Sequence, residues 1–198
     1  MTPEVRAIAD RFMYEQATLK HIAALAPEGA LGRPVPGTDW TVRQLLGHLA
    51  QSLNDYAEMV QKLAGGEPPI AQDWDPHAVN AETVARLEKA SLTDLFQLFG
   101  SGINDLVAEL TAIPDEQVEE QFGPTPVMST LHVLAGHCLT HAIPLVEALP
   151  EVRMDALVLN WLLYADFETD EGRAWQDALM KEAQAYIESL PDDEEEDE

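Results

Sequence analysis

The feature that most limits how this sequence can fold is an apolar segment from about Met128 to Leu149. Its apolar residues recur every three or four positions and cover most of the circumference of a helix: Leu131, Leu134, Ala135, Cys138, Leu139, Ala142, Leu145 and Val146. A helix that is apolar on nearly all sides is stable in water only when other helices surround it. The segment therefore predicts a helix deep within a bundle, and the rest of the chain must supply its neighbours.

Three earlier segments carry apolar residues at helical spacing. The first begins at Thr2 and Pro3, which are typical of a helix start, and ends near Pro27. Another begins at the capping residue Ser91 and ends at Pro114. With 46% hydrophobic residues and few alternating polar and apolar runs, the composition favours helices and little or no sheet. The fold class that follows is all-α.

The third of these apolar segments lies between the other two, and it has the clearest signals of a helix start. Thr41 and Gln44 have the spacing of a capping box, and Trp40 and Leu45 have that of a hydrophobic staple. The helix is predicted to end before Gly65, where a long proline-rich crossover begins. A short helix over about residues 81–88 is expected inside this crossover.

The chain length bounds the domain organisation. A chain of 198 residues suffices for one packed domain with an appended element. We predict a four-helix bundle over residues 1–150 and a C-terminal helical extension over 151–190, with helices near 156–167 and 170–190. Seven of the last eight residues are acidic, which predicts a disordered acidic tail over 191–198.

The net charge of the chain limits the kinds of molecule that it can bind. The chain has 36 acidic and 11 basic residues, a formal net charge of -25. Such a surface repels phosphate backbones and anionic lipids, so we expect no nucleic-acid or membrane partner and a small-molecule substrate instead. Cys138 is the single cysteine, so no intrachain disulfide can form. Because the sequence shows neither a signal peptide nor a spanning segment, a cytoplasmic location is expected, and a homodimer is a further expectation.

Two histidines interrupt the apolar segment. His137 and His141 are four residues apart, which places their side chains on one face of a helix about 5–6 Å apart. Buried imidazoles without partners are costly, and a shared metal ion would satisfy both. The spacing is equally compatible with core or interface histidines that hydrogen-bond to each other and to backbone carbonyls. His48, on the second helix of the same bundle, is the candidate for a third ligand.

Two motifs resemble a known family. The segment from Trp40 to Ala50, WTVRQLLGHLA, resembles the second-helix signature of the DinB-like superfamily, and is closest to the amino-terminal domain of mycothiol-dependent maleylpyruvate isomerases. The segment from Gly136 to His141, GHCLTH, resembles the ligand pair on that superfamily's fourth helix. The resemblance covers about residues 1–150. It implies a four-helix bundle with a long crossover between helices two and three, followed here by extra C-terminal helices.

The resemblance also implies a site and a chemistry. It implies one zinc or nickel ion held by His48, His137 and His141, with coordination positions left open for water or substrate. The implied activity is that of a bacterial enzyme that uses a low-molecular-weight thiol such as mycothiol or bacillithiol. A coordinated thiol is deprotonated and a coordinated water has a lowered pKa, so hydrolysis is equally compatible with the site.

Polar residues beside His48 are candidates for outer-shell groups. Gln51, Ser52 and Asp55 lie on the same side of the predicted helix and could orient a ligand or a bound water, although a polar side facing solvent has the same pattern. Cys138 is about 100° around the helix from His137 and is interpreted as a core residue. His132 points away from the histidine pair.

Two functional classes remain open. One is a metal-dependent enzyme, a thiol transferase, isomerase or hydrolase acting on a small molecule. The other is a non-catalytic metal- or ligand-binding helical module that acts through protein association. Isomerases of the family carry a further domain and arginines for a dicarboxylate. The arginines that can be placed near the bundle here, Arg43 and Arg86, are equally typical of solvated helix residues.

Overall fold

The structure is a computed structural model, and it describes residues 1–27, 29–71, 73–118, 121–122, 125–167 and 169–190. The acidic tail predicted over residues 191–198 lies outside these residues.

The described residues are predominantly helical, which confirms the all-α fold class. The α-helices are α1 (Pro3–Leu25), α2 (Val42–Ala64), α3 (Pro76–Leu87), α4 (Leu92–Ala112), α5 (Val127–Ala148), α6 (Ala156–Leu163) and α7 (Asp170–Ser189). Short 3-10 helices are formed by Ala30–Gly32, Asp115–Gln117 and Pro150–Val152. Two antiparallel two-residue strands, β1 (Gln121–Phe122) and β2 (Thr125–Pro126), precede α5. No helix among the described residues is long and apolar enough to cross a membrane.

Helices α1, α2, α4 and α5 form the four-helix bundle, and the crossover that contains α3 joins α2 to α4. The most extensive packing is between α2 and α4, while α5 packs against both α1 and α2. Their inward faces form one continuous core that includes Phe12, Leu46, Phe99 and Leu131. This arrangement matches the bundle and the long crossover that the sequence predicts.

Helix α5 is less enclosed than its sequence suggests. All eight apolar residues that predicted a buried helix are buried, among them Leu131 and Val146. However, a narrow outer side remains exposed, where His132 and Thr140 lie and Val133 is 73% exposed. The reason is geometric: in a four-helix bundle each helix has neighbours on its inner sides only, so even a strongly apolar helix keeps a solvent face.

The start of α2 is stabilised as predicted. The backbone N–H of Gln44 donates to Oγ1 of Thr41 (3.4 Å), and the backbone N–H of Thr41 donates to Oε1 of Gln44 (2.8 Å). The same reciprocal pair is formed by Ser91 and Asp94 at the start of α4. Both capping boxes fix where and at what angle these helices enter the bundle.

Helix α3 begins earlier than predicted, at Pro76 rather than near residue 81. Asp75 accepts a hydrogen bond from the backbone N–H of His77 (2.9 Å), and Pro76 at the first helical position needs no partner for its nitrogen. The helix packs against α2 where Leu87 faces Gly47: a Cβ placed on this glycine would lie 3.1 Å from Leu87. The crossover therefore covers the part of α2 that carries His48.

The C-terminal helices dock on the bundle. Helix α6 contacts α1, and α7 contacts α6. His21 of α1 lies 3.0 Å from Oδ1 of Asp155, which also caps the start of α6 by accepting from the backbone N–H of Leu157. Arg33 pairs with Glu151 (2.6 Å) just after α5. Trp161 is 3% exposed, so its ring belongs to the same core as the bundle.

One glycine of α4 is tightly packed against α2 and another has free space around it. Substituting each of them therefore tests the packing between the two helices. A Cβ on Gly102 would lie 2.8 Å from Leu53 Cβ and 2.8 Å from Asn54 Nδ2, whereas one on Gly100 would meet no atom within 4 Å. We expect Gly102→Ala to lower the free energy of unfolding by about 1–3 kcal/mol because the two helices must separate. Gly100→Ala should raise it by up to about 1 kcal/mol, since alanine favours a helix. Urea denaturation followed by circular dichroism measures both, and equal shifts in one direction would contradict this packing.

Candidate metal centre

Three imidazoles meet where α2 crosses α5. Nε2 of His137 lies 3.2 Å from Nε2 of His48 and 3.2 Å from Nε2 of His141. The ligand atoms of all three lie within 4.8 Å of one another. The structure thus brings together the three histidines that were proposed from the sequence as ligands.

Each histidine reaches this point for a different reason. His137 and His141 lie one turn apart on α5, so their proximity follows from helix geometry alone. His48 comes from α2 and reaches them because α2 packs against α5. His48 is 7% exposed and the other two are partly buried, so the cluster lies at the edge of the core.

Burial keeps these imidazoles neutral. Desolvation, followed by the charge of His141, lowers the pKa of His48 from 6.5 to about 4. Desolvation also lowers the pKa of His137 to about 3, with smaller contributions from His141 and His48, and it lowers the pKa of His141. At neutral pH each ring therefore has one nitrogen with a free lone pair, which is the form that binds a metal ion.

Hydrogen bonds alone do not satisfy this cluster. Nε2 of a neutral imidazole either donates one proton or accepts through one lone pair, yet Nε2 of His137 faces both other rings. Its second nitrogen, Nδ1, is buried and has no hydrogen-bond partner among the residues that the structure describes. In either tautomer Nε2 of this partly exposed ring can pair with only one of the two neighbouring rings. The sequence was also compatible with histidines that only hydrogen-bond to each other. That alternative does not explain why three rings meet at one nitrogen.

Two of the three separations between the nitrogens suit a divalent ion. Zinc–nitrogen bonds of about 2.0–2.1 Å at tetrahedral angles place two ligand nitrogens about 3.3–3.4 Å apart. The two contacts of His137 Nε2, at 3.2 Å, are close to this separation. Imidazole nitrogen is a good ligand for zinc and nickel alike. Three neutral nitrogen donors would fill three positions and leave at least one free for another molecule.

Aromatic rings border the cluster on two sides. The ring of Trp40 lies 5.0 Å from that of His48 and 6.3 Å from that of His141, measured between centroids. Tyr56 meets the ring of His137 edge-on at 5.8 Å. Burial raises the pKa of Tyr56 far above its usual value, so its hydroxyl keeps its proton.

The candidate outer-shell residues hydrogen-bond mainly to other groups. Oγ of Ser52 donates to the backbone carbonyl of His48 (2.9 Å), and Nε2 of Gln51 donates to Asp55 (2.8 Å). Arg86 of α3 donates to Oε1 of Gln51 (2.6 Å), which joins the crossover to α2. None of the hydrogen bonds found for these three side chains reaches an imidazole, and their outer-shell role stays a prediction. Arg43 donates to the backbone carbonyl of Ala90 instead.

Sequence reasoning overlooked a buried acid beside this site. Glu15 of α1 is 2% exposed, and its Oε1 accepts a hydrogen bond from Nε of Arg11 (3.0 Å). Its carboxyl group lies near the thiol of Cys138, and burial raises its pKa. Cys138 is buried, which confirms its interpretation as a core residue. The signal was available, because Glu15 lies between Phe12 and Leu19 on the apolar side of α1.

The family model described as the mycothiol maleylpyruvate isomerase N-terminal domain matches residues 14–145. Among solved structures, a crystal structure of a histidine-to-alanine mutant of mycothiol-dependent maleylpyruvate isomerase is similar, with a TM-score of 0.57 and 16% sequence identity. The match covers 82% of this chain and 71% of that one, and at this identity it shows a shared fold alone. No curated protein matches the chain.

Proposed function

The chain belongs to the mycothiol maleylpyruvate isomerase N-terminal domain family, and on that premise we propose that it is a metal-dependent enzyme acting on a small molecule. In this proposal His48, His137 and His141 hold one divalent ion, zinc or nickel. The cosubstrate is a low-molecular-weight thiol, and the reaction is a thiol transfer or isomerisation, with hydrolysis as the related possibility for the same site.

The observation that carries this proposal is the meeting of three neutral imidazole nitrogens within 4.8 Å. Burial removes the protons that would otherwise compete with a metal ion for these nitrogens. In the metal-free cluster Nε2 of His137 faces two other nitrogens and can pair with only one of them. A divalent ion uses all three lone pairs at once.

The proposed division of roles follows from the side chains. When bound, the ion would act as a Lewis acid that lowers the pKa of a thiol or of water. The three histidines orient and hold it, and all three remain neutral over the physiological pH range. Tyr56 packs against His137 and keeps its proton, so it is a structural neighbour or a hydrogen-bond donor and not a base.

The choice of a small substrate follows from charge. A net charge of -25 disfavours polyanionic partners, whereas an uncharged or weakly charged small molecule can still enter a partly exposed site. Both His137 and His141 are partly exposed, which leaves the cluster accessible from solvent. A closed structural metal site has four protein ligands and no such access.

Elemental analysis of the protein purified without a histidine tag tests the proposal. We expect about one zinc or nickel ion per chain, because three preorganised nitrogen ligands are present. Prolonged dialysis against a chelator should remove the ion, and the thermal midpoint of unfolding should fall, since a ligand that binds only the folded state stabilises it.

Two results would decide between the functional classes. A wild-type protein that is folded but contains and takes up no divalent metal would contradict the proposal. Stoichiometric metal, together with no turnover of a model electrophile in the presence of mycothiol or bacillithiol, would instead support the non-catalytic metal-binding module.

A further inference from the structure

The ring of Trp40 lies beside two of the three histidines. Its centroid is 5.0 Å from that of His48, and its plane is within 27° of the His141 ring at 6.3 Å. The Trp40 side chain is only partly buried, whereas His48 beneath it is 7% exposed. An aromatic surface therefore extends from the proposed ligands toward solvent.

The backbone around Trp40 holds the ring in place. Its N–H donates to Oγ1 of Thr38 (3.1 Å), and its carbonyl accepts from the N–H of Val35 (2.8 Å). On either side, Pro34 and Thr41 form an antiparallel bridge. Gly37 closes the turn with a φ of 74°, a conformation that favours glycine. The backbone that carries the indole is thus ordered before any molecule binds, which lowers the entropic cost of binding.

Trp40 also has a structural role, which any large apolar side chain can fill. It precedes the capping residue Thr41 and is in position to form a hydrophobic staple with the fully buried Leu45. The staple requires apolar contact and no aromatic ring. The contacts with His48 and His141 go beyond what the staple needs.

A partly exposed aromatic ring next to a binding centre favours one ligand class. Aromatic rings attract planar unsaturated groups by stacked or edge-to-face contact, and these contacts add to the energy of simple burial. Saturated groups gain only the burial. A second neighbour of the cluster, Tyr56, is aromatic as well, and its ring meets that of His137 edge-on at 5.8 Å.

We propose that Trp40 is a specificity-determining residue, and that its ring selects small molecules that carry a planar conjugated group next to the atom that approaches the three histidines. This inference rests on the proposed function, since it requires the metal-loaded protein. It adds a residue role: Trp40 makes ligands with an aromatic or conjugated group bind more tightly than saturated ones of equal charge.

A pair of probes with the same metal-binding group tests it. Benzohydroxamate and acetohydroxamate share the hydroxamate and differ in carrying a phenyl ring or a methyl group. Their dissociation constants are measured by calorimetry on the zinc-loaded wild type and on Trp40→Leu, which keeps an apolar side chain for the staple but has no ring. We expect Trp40→Leu to reduce the preference for benzohydroxamate by about 2- to 12-fold. Trp40→Phe should retain most of the preference.

Controls separate this result from a loss of structure. Trp175→Leu removes a tryptophan that packs on Phe167 and Arg153, and it should leave the ratio of the two affinities unchanged. Zinc content is measured for every variant. If Trp40→Leu loses zinc, Trp40→Met provides a second replacement without a ring.

The outcomes are distinct. An unchanged ratio in the zinc-loaded Leu or Met variant overturns the role of Trp40, as does an equal loss of affinity for both probes. These results leave the proposed metal site standing. A folded wild type that binds no zinc or nickel overturns the proposed function and this inference together.

Discussion

Replacing His137 with alanine is expected to abolish metal binding. Nε2 of this residue lies 3.2 Å from the corresponding atoms of both other histidines, so it occupies the centre of the cluster. Loss of even an outer partner of a metal ligand reduces affinity about 10- to 100-fold, and loss of a direct ligand should exceed this. Elemental analysis of tag-free protein should therefore show about one ion in the wild type and close to none in the variant.

His132→Ala is the matched control. His132 lies on the same helix but is exposed and outside the cluster, so its removal should leave metal content unchanged. Circular dichroism checks that both variants are folded. His137→Ala also removes a buried Nδ1 for which no described residue is a hydrogen-bond partner, so we do not expect the helix to unfold. Full metal content in folded His137→Ala protein would refute the assignment of this ligand.

The metal-free protein should lose stability as the pH falls from about 6.5 toward 4. The pKa of His48 is 6.5 when unperturbed and about 4 in the folded protein. Between these values the unfolded chain binds a proton that the folded chain rejects, and acid therefore favours unfolding. Each pKa unit corresponds to about 1.4 kcal/mol, so His48 alone should lower the free energy of unfolding by about 3 kcal/mol over this range.

His48→Gln isolates this effect, because glutamine is polar but does not titrate. Urea denaturation from pH 7 to 4 should show a shallower loss of stability in the variant than in the wild type. Glu15 acts in the opposite direction, since its pKa is raised in the folded state, but it contributes equally to both proteins. Parallel pH profiles for the two proteins would show that His48 is not held neutral by burial.

Much of the fold could be predicted from local sequence patterns. The capping box at Thr41 has the partner that its sequence spacing indicates, and Ser91 caps α4 as predicted. The start of α3 was misplaced although Asp75 and Pro76 form a recognisable helix start. The family signature in residues 40–50 supplied the bundle topology, which helical periodicity alone does not determine.

The metal site also has one part that follows from local sequence patterns and another that depends on how the helices pack. The sequence alone determined that His137 and His141 lie together, because a four-residue separation on a helix brings side chains to one face whatever surrounds them. It also determined most of the buried positions of α5. These features depend on hydrogen bonds and contacts between residues a few positions apart.

Only the tertiary structure decided that His48 meets this pair, that Trp40 and Tyr56 border it, and that Glu15 reaches Cys138. Each of these contacts joins residues of different helices or of a loop and a helix. The distances between these residues depend on how the side chains of whole helix surfaces pack together. That packing is the combined result of many contacts, so no single sequence position predicts it. The sequence therefore supplied the ligand types, and the packing of α2 against α5 brought their nitrogen atoms together.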